Sequence, residues 1–236
     1  MKIVITIEAR MGSTRLPGKV LMPILGRPML AYMIERLQRV NKADMIVVAT
    51  TDNPNDDPVA DLATNLGVGL FRGSEEDVLD RVLSAAGSAN ADVIVETSGD
   101  CPLIDPEVLD QVIGVYLANE FDFVNNGLDI EIFSKAVLYE VSQLTKDPID
   151  REHVSLYIYE HPERFSLCRL ETGLPEKYQN LKLTVDSLED FTLISKIFEE
   201  LYPKDPAFSL GDVLALLDRR PELIEINRHI KPKPVR

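Results

Sequence analysis

The sequence predicts an α/β protein built on a mixed, mainly parallel sheet with helices on both faces. Three observations lead there. Short β-branched runs alternate with segments of helical period. The first strands are apolar almost throughout, the pattern of strands covered on both sides. The chain has 236 residues, 45% apolar and 27% charged, the balance of a folded globular protein and enough for one large α/β domain or two small ones.

The elements follow in order. KIVITI at 2–7 reads as a buried first strand, and Leu30, Met33, Ile34, Leu37 and Val40 then recur at helix spacing. MIVVAT at 45–50 is a second strand, followed by a helix over 57–66 that stops at Gly67. A third strand at 68–71 precedes Ser74-Glu75-Glu76-Asp77, a capping-box pattern that opens a helix running to about 88. DVIVET at 92–97 is the fourth strand. Asp105-Pro106 starts the next helix, since a carboxylate can cap it and proline suits its first position. The second half is mixed, with strands expected at 122–125, 128–133, 165–170 and 181–185 and helices at 134–144, 150–160, 187–201 and 209–218. The expectation is a single domain over 1–236 ending in a loose basic tail, KPKPVR.

Composition removes several classes of function. No apolar run approaches the ~20 residues that span a bilayer, and MKIVITIEAR reaches charged residues too soon for a secretory signal. Cys101 and Cys168 are too few for a disulfide framework and not spaced for zinc, which fits a cytoplasmic protein with reduced thiols. The net charge is −14, unevenly spread. Residues 1–42 hold eight basic side chains against two acidic, a surplus of six; the remainder holds 17 against 37, a net of −20. Such an acidic body repels nucleic acid but leaves room for a small polyanion at one basic corner. Part of the asymmetry has a plainer source, a solvated helix face carrying Arg36 and Arg39.

That corner is Ala9-Arg10-Met11-Gly12-Ser13-Thr14-Arg15-Leu16-Pro17-Gly18-Lys19, directly after the first strand, where open α/β sheets hold their ligands. Glycines permit close backbone approach, the hydroxyls donate, and Arg10, Arg15 and Lys19 supply three cations, a set suited to a phosphate chain. The stretch is neither a dinucleotide fingerprint nor a Walker loop. By composition alone, a solvated basic loop accounts for it about as well.

The order of its residues resembles the signature of the cytidylyltransferases that make CMP-activated sugars, most nearly their spore-coat-polysaccharide branch. The similarity continues through VVATT at 47–51, FRGSEEDVLDR at 71–81, GDCPLID at 99–105, GLDIEIF at 127–133, REHV at 151–154, TVDSLED at 184–190 and EINRHI at 225–230. The resemblance implies a three-layer α/β/α nucleotide-diphospho-sugar-transferase (Rossmann-like) fold. It also implies transfer of CMP from CTP to a small acidic sugar or related acceptor, with release of pyrophosphate, in surface polysaccharide synthesis. About 1–120 would bind nucleotide; about 121–236 would bind acceptor and could supply a homodimer surface.

By the same resemblance, Ala9, Arg10, Gly12, Ser13, Arg15 and Lys19 contact the nucleotide, joined by Arg72, Ser74 and Asp100. Arg15, Lys19 and Asp100 are the catalytic residues. Asp100 and Asp186 are the metal ligands, and their hard oxygens suit Mg²⁺ completed by phosphate and water. Without the resemblance, the plainer readings are the better ones, a helix-entry or turn aspartate for Asp100 and a helix N-cap for Asp186. No side chain need act as nucleophile, because charge stabilisation and alignment suffice for attack on the α-phosphate. Glu8 could line the base pocket or pair with Arg10. Asp129, Glu131, Arg151 and His153 are the acceptor candidates; their alternatives are the wet face of an edge strand and the first turn of a helix. The chain departs from the family pattern at Asn125-Asn126-Gly127, where relatives carry a longer stretch. Two other readings stand beside this one: a glycosyltransferase of the same fold, and a nucleotide-binding protein without turnover.

Overall fold

The computed structural model describes residues 1–128, 130–171 and 174–230. Asp129 and the tail at 231–236 therefore lie outside the described residues. The strands are β1 (Ile3–Glu8), β2 (Pro23–Ile24), β3 (Arg27–Pro28), β4 (Met45–Thr51), β5 (Gly69–Gly73), β6 (Val93–Ser98), β7 (Phe123–Asn125), β8 (Glu131–Ser134) and β9 (Leu167–Arg169). The α-helices are α1 (Met29–Leu37), α2 (Asp57–Asn65), α3 (Val78–Ser88), α4 (Pro106–Ala118), α5 (Lys135–Leu144), α6 (Pro148–Glu152), α7 (Leu156–Glu160), α8 (Leu188–Leu201) and α9 (Leu210–Arg219).

Among the described residues, seven strands form one sheet in the order β5-β4-β1-β6-β8-β7-β9, to which both halves of the chain contribute. β1 pairs in parallel with β4 and β6, while β8 runs antiparallel to both its neighbours, β6 and β7. The chain builds outward from β1 to β4 and β5, then returns to lay β6 on the other side of β1. That reversal opens a crevice beyond the carboxyl ends of β1 and β6, the usual place for a ligand.

Alternation fills the two faces. Ile3, Ile5, Ile7, Val93 and Val95 pack with α1, α2 and α4; Val4, Val47, Ala49 and Ile94 pack with α3 and α5. A third cluster joins α8 and α9 to Met29 and Tyr32 of α1, so α1 is buried on two sides. Each large apolar side chain so buried contributes about 1.5–3 kcal/mol. This double cover reverses one expectation: Arg36 is only 2% exposed. It stacks on Phe208, donates to the Ile104 and Phe208 carbonyls at 2.7 and 2.9 Å, and burial lowers its pKa to about 10.

Most of the expected elements are present within a residue or two, and the departures have local causes. Segment 181–185 alternates like a strand but pairs with none; Leu181, Leu183 and Val185 anchor it in the third cluster. The 150–160 helix is two short helices, α6 and α7, broken at His153. The hairpin β2–β3 was not signalled, because it turns on Leu25 and Gly26, both at positive φ. Asp77, rather than Ser74, caps α3 by accepting from Asp80 N. Asp105 caps α4 as expected, accepting from Glu107 and Val108.

Candidate active site

At the crevice lies a cavity of about 470 Å³. Its mouth is the 9–19 loop; its floor is the end of β1 and β6; its far wall is β8, α6 and α7. Ala9, Arg10, Gly12, Ser13, Thr14, Arg15 and Lys19 all line it.

The loop is fixed at both ends. Asp56, buried after β4, accepts from Met11 N at 2.6 Å and from the Thr51 hydroxyl. Gly18, at φ 72, returns its N–H to Met11 O at 2.9 Å and turns the chain into the 3₁₀ turn that begins with Lys19. A side chain at position 18 would need the left-handed conformation that L-residues avoid. At the neighbouring strand end, Gly99 N donates to Glu8 O at 2.8 Å, and a Cβ there would sit 2.9 Å from that oxygen. Glycine is what lets the loop after β6 close against β1.

The cations of the loop meet carboxylates from distant positions. Lys19 Nζ lies 2.6 Å from Asp100 Oδ2, 3.2 Å from Asp186 Oδ1 and 2.7 Å from Val185 O. Arg15 reaches Asp186 Oδ1 at 2.8 Å. Asp186 arrives from the unpaired 181–187 segment, which Val185 N pins to Asp100 O at 2.9 Å. Burial pushes the Asp186 carboxyl up, but Lys19, Lys182 and Arg15 outweigh it and hold the group below its usual range. The N-cap of α8 is Ser187, which leaves the Asp186 carboxylate free for these cations. Arg10 turns the other way, donating to Glu75 O at 3.1 Å.

The opposite end of the cavity holds like charges. Glu8, Glu96 and Glu131 lie on one face of adjacent strands, Glu96 opposite Glu131 in register. All three carboxyls titrate high because of burial, Glu96 most of all, with Glu8 and Glu131 on either side of it. Glu8 thus hydrogen-bonds Glu96, not Arg10. Ser155 donates to Glu131, and Glu152, His153 and Tyr159 complete this wall.

Three predicted contacts stand elsewhere. Arg72 is outside the lining, donating to Thr51 O, Asn53 O and Asp57. Ser74 is exposed and accepts from Asp77 N just before α3. Arg151 holds the α3 cap, its Nε 2.9 Å from Asp77 Oδ1. Asp129 lies outside the described residues. The sequence offered no sign of Asp56, Glu96 or Arg81 in this site, because each reads locally as a turn, strand or helix residue.

Asp100 and Asp186 together fit a divalent ion. Their oxygens converge within reach of one ammonium, and both are hard donors. Among the described residues no group of three or more His, Cys, Asp or Glu side chains is arranged to hold a metal alone, so an ion held by these two acids would take further oxygens from phosphate or water. Among the described residues no helix is long and apolar enough to cross a membrane.

Residues 3–223 match the pattern of a family described as cytidylyltransferase. The spore coat polysaccharide biosynthesis protein SpsF of Bacillus subtilis is 33% identical over 93% of this chain and 95% of its own. The 8-amino-3,8-dideoxy-manno-octulosonate cytidylyltransferase of Shewanella frigidimarina is 32% identical over 73% of this chain and 68% of its own. The structure of a cytidylyltransferase from Leptospira borgpetersenii superposes with a TM-score of 0.89, at 34% identity over 99% of both chains.

Proposed function

The chain belongs to the cytidylyltransferase family of nucleotidyltransferases, and on that footing we propose that it transfers CMP from CTP to a small sugar acid or related hydroxyl acceptor, releasing pyrophosphate. The single observation that carries the reading is the convergence of Lys19, Arg15, Asp100 and Asp186 at the mouth of one cavity. The SpsF relative supports a role in surface polysaccharide synthesis.

Arg10, Arg15 and Lys19 hold the triphosphate, with Gly12 and Ser13 against its oxygens. Asp100 and Asp186 would hold Mg²⁺, which would supply neutralising charge to the phosphate oxygens and to the pyrophosphate that leaves. The cations give up their present carboxylate partners to phosphate, so the donors are oriented before the nucleotide arrives. The acceptor hydroxyl approaches from the side of Glu131, Ser155 and His153, where carboxyls and a hydroxyl can hold hydroxyl or amino groups. The buried Nε of Arg81, a residue of the cavity wall, has no hydrogen-bond partner among the described residues and supports a ligand at this end. The division into a nucleotide part (about 1–120) and an acceptor part (about 121–236) follows, with Asp186 crossing over to the nucleotide.

The test is pyrophosphate release by the purified chain with each nucleoside triphosphate, Mg²⁺ and a panel of sugar acids. Release should require CTP and a particular acceptor, and Arg15→Ala or Asp100→Asn should abolish it. Normal turnover in either variant would overturn the assignment.

A further inference from the structure

Behind Asp186 lies a buried polar group that the reaction above does not use. Asp190 is 0% exposed. Its Oδ2 accepts from Asp186 N at 3.0 Å, Ser187 N at 2.9 Å and Lys182 Nζ at 2.6 Å. Its Oδ1 accepts from Asn227 Nδ2 at 2.8 Å, and the same amide donates to Lys182 O at 3.0 Å. Asn227, 3% exposed, comes from the segment after the last 3₁₀ turn, beyond the 3–223 match to the family. Lys182 in turn lies 3.1 Å from Asp186 Oδ2, the oxygen that Arg15 does not use.

The ordinary explanation of Asp190 is the capping box it forms with Ser187 at the start of α8. That accounts for its bond to Ser187 N. It does not account for Lys182, for the Asp186 N–H or for Asn227. These contacts fix the main chain of Asp186 on one side and the ammonium beside its carboxylate on the other. We propose that Asp190, anchored by Asn227, is a positioning residue that presents the Asp186 carboxylate to a divalent ion and shares the Lys182 ammonium, which lies 2.6 Å from Asp190 Oδ2 and 3.1 Å from Asp186 Oδ2; the inference rests on the metal reading above. Without Asp190, Lys182 has Asp186 as its remaining carboxylate, and that ion pair competes with the metal. Groups that orient a metal ligand through one further contact commonly change metal affinity or activity by about 10–100-fold.

The test is calorimetric Mn²⁺ titration of the full chain with CTP and no acceptor, for wild type, Asp190→Asn and Asn227→Ser. The Mn²⁺ Kd should rise about tenfold or more in both variants, with metal-free CTP affinity unchanged. The Mg²⁺ concentration giving half-maximal rate should rise, with kcat largely retained at saturating metal. Should Asp190→Asn fail to fold, Asn227→Ser decides, because it keeps the Asp190 charge but removes the amide that holds Asp190 Oδ1 and the Lys182 carbonyl, freeing the carboxylate to shift. Wild-type Mn²⁺ affinity in folded Asn227→Ser, whatever its Tm, would overturn the inference. If the wild-type chain itself binds no Mn²⁺, the metal reading falls first and this proposal with it.

Discussion

The two ends of the cavity solve the burial of charge in opposite ways. At the mouth, Arg15 and Lys19 are matched by Asp100 and Asp186, and the acid at 186 is held ionised. On the floor, Glu8, Glu96 and Glu131 face one another, and burial favours their protonated forms. Opposite charges hold a group ready for exchange, whereas like charges hold one another only by retaining protons. The pH dependences therefore oppose. Asp186 and Asp190, depressed from 3.8, contribute stability present above that value and lost as pH falls through their folded values. The glutamates, raised from 4.5, contribute stability present below 4.5 and lost as pH rises through theirs.

Breaking the mouth should have the largest effect. Asp186→Ala is expected to lower kcat by about 10²–10³-fold, as loss of a preorganised electrostatic contact does, measured as pyrophosphate release; a smaller change would mean the mouth tolerates unbalanced cations. Loosening the loop without touching its charges comes next. Asp56→Ala strands Met11 N, so kcat/KM for CTP should fall about ten- to a hundredfold through misplacement, with about 1–3 kcal/mol of stability lost to the unmet donor in a denaturant titration.

Relieving the floor should be milder and of opposite sign. Glu96→Gln keeps the shape of the protonated acid but cannot ionise. Its Tm should match wild type below pH 4.5 and exceed it at neutral pH, by roughly 2–4 °C for each kcal/mol of repulsion removed. A Tm difference independent of pH would dissolve the contrast between the ends. Arg72→Ala should do least. Its ion pair with Asp57 is a surface one, worth about 0–1 kcal/mol, its bonds to the Thr51 and Asn53 carbonyls brace a turn outside the cavity, and steady-state kinetics should leave KM for CTP unchanged.

Much of the mouth was legible because its residues are contiguous. The 9–19 loop announces itself by cations, glycines and position after an apolar strand. Asp100 follows the next strand of the crevice, but alone it reads as a turn aspartate and stands out only by resemblance. Asp186 was legible only by resemblance, and the strand expected to deliver it does not form: Leu181, Leu183 and Val185 alternate, but the helices α8 and α9 claim them instead of a sheet edge. The floor was hidden because its three acids come from three separate strands, and one acid on a strand reads the same facing water as buried. Nothing local distinguishes Glu96, at 8% exposure, from a solvated strand residue. Arg36 shows the converse error: its helical neighbours suggest water, and Phe208, far along the chain, removes it.

The ammonium of Lys19, seated between two acids, gives the ligand-free mouth its own internal salt. On the proposed reading, an arriving triphosphate would trade partners there instead of meeting bare charge, so each ion pair gained would be set against one released. Recognition at such a mouth would discriminate by the geometry of the replacement, with a weaker dependence on ionic strength than bare cations would give.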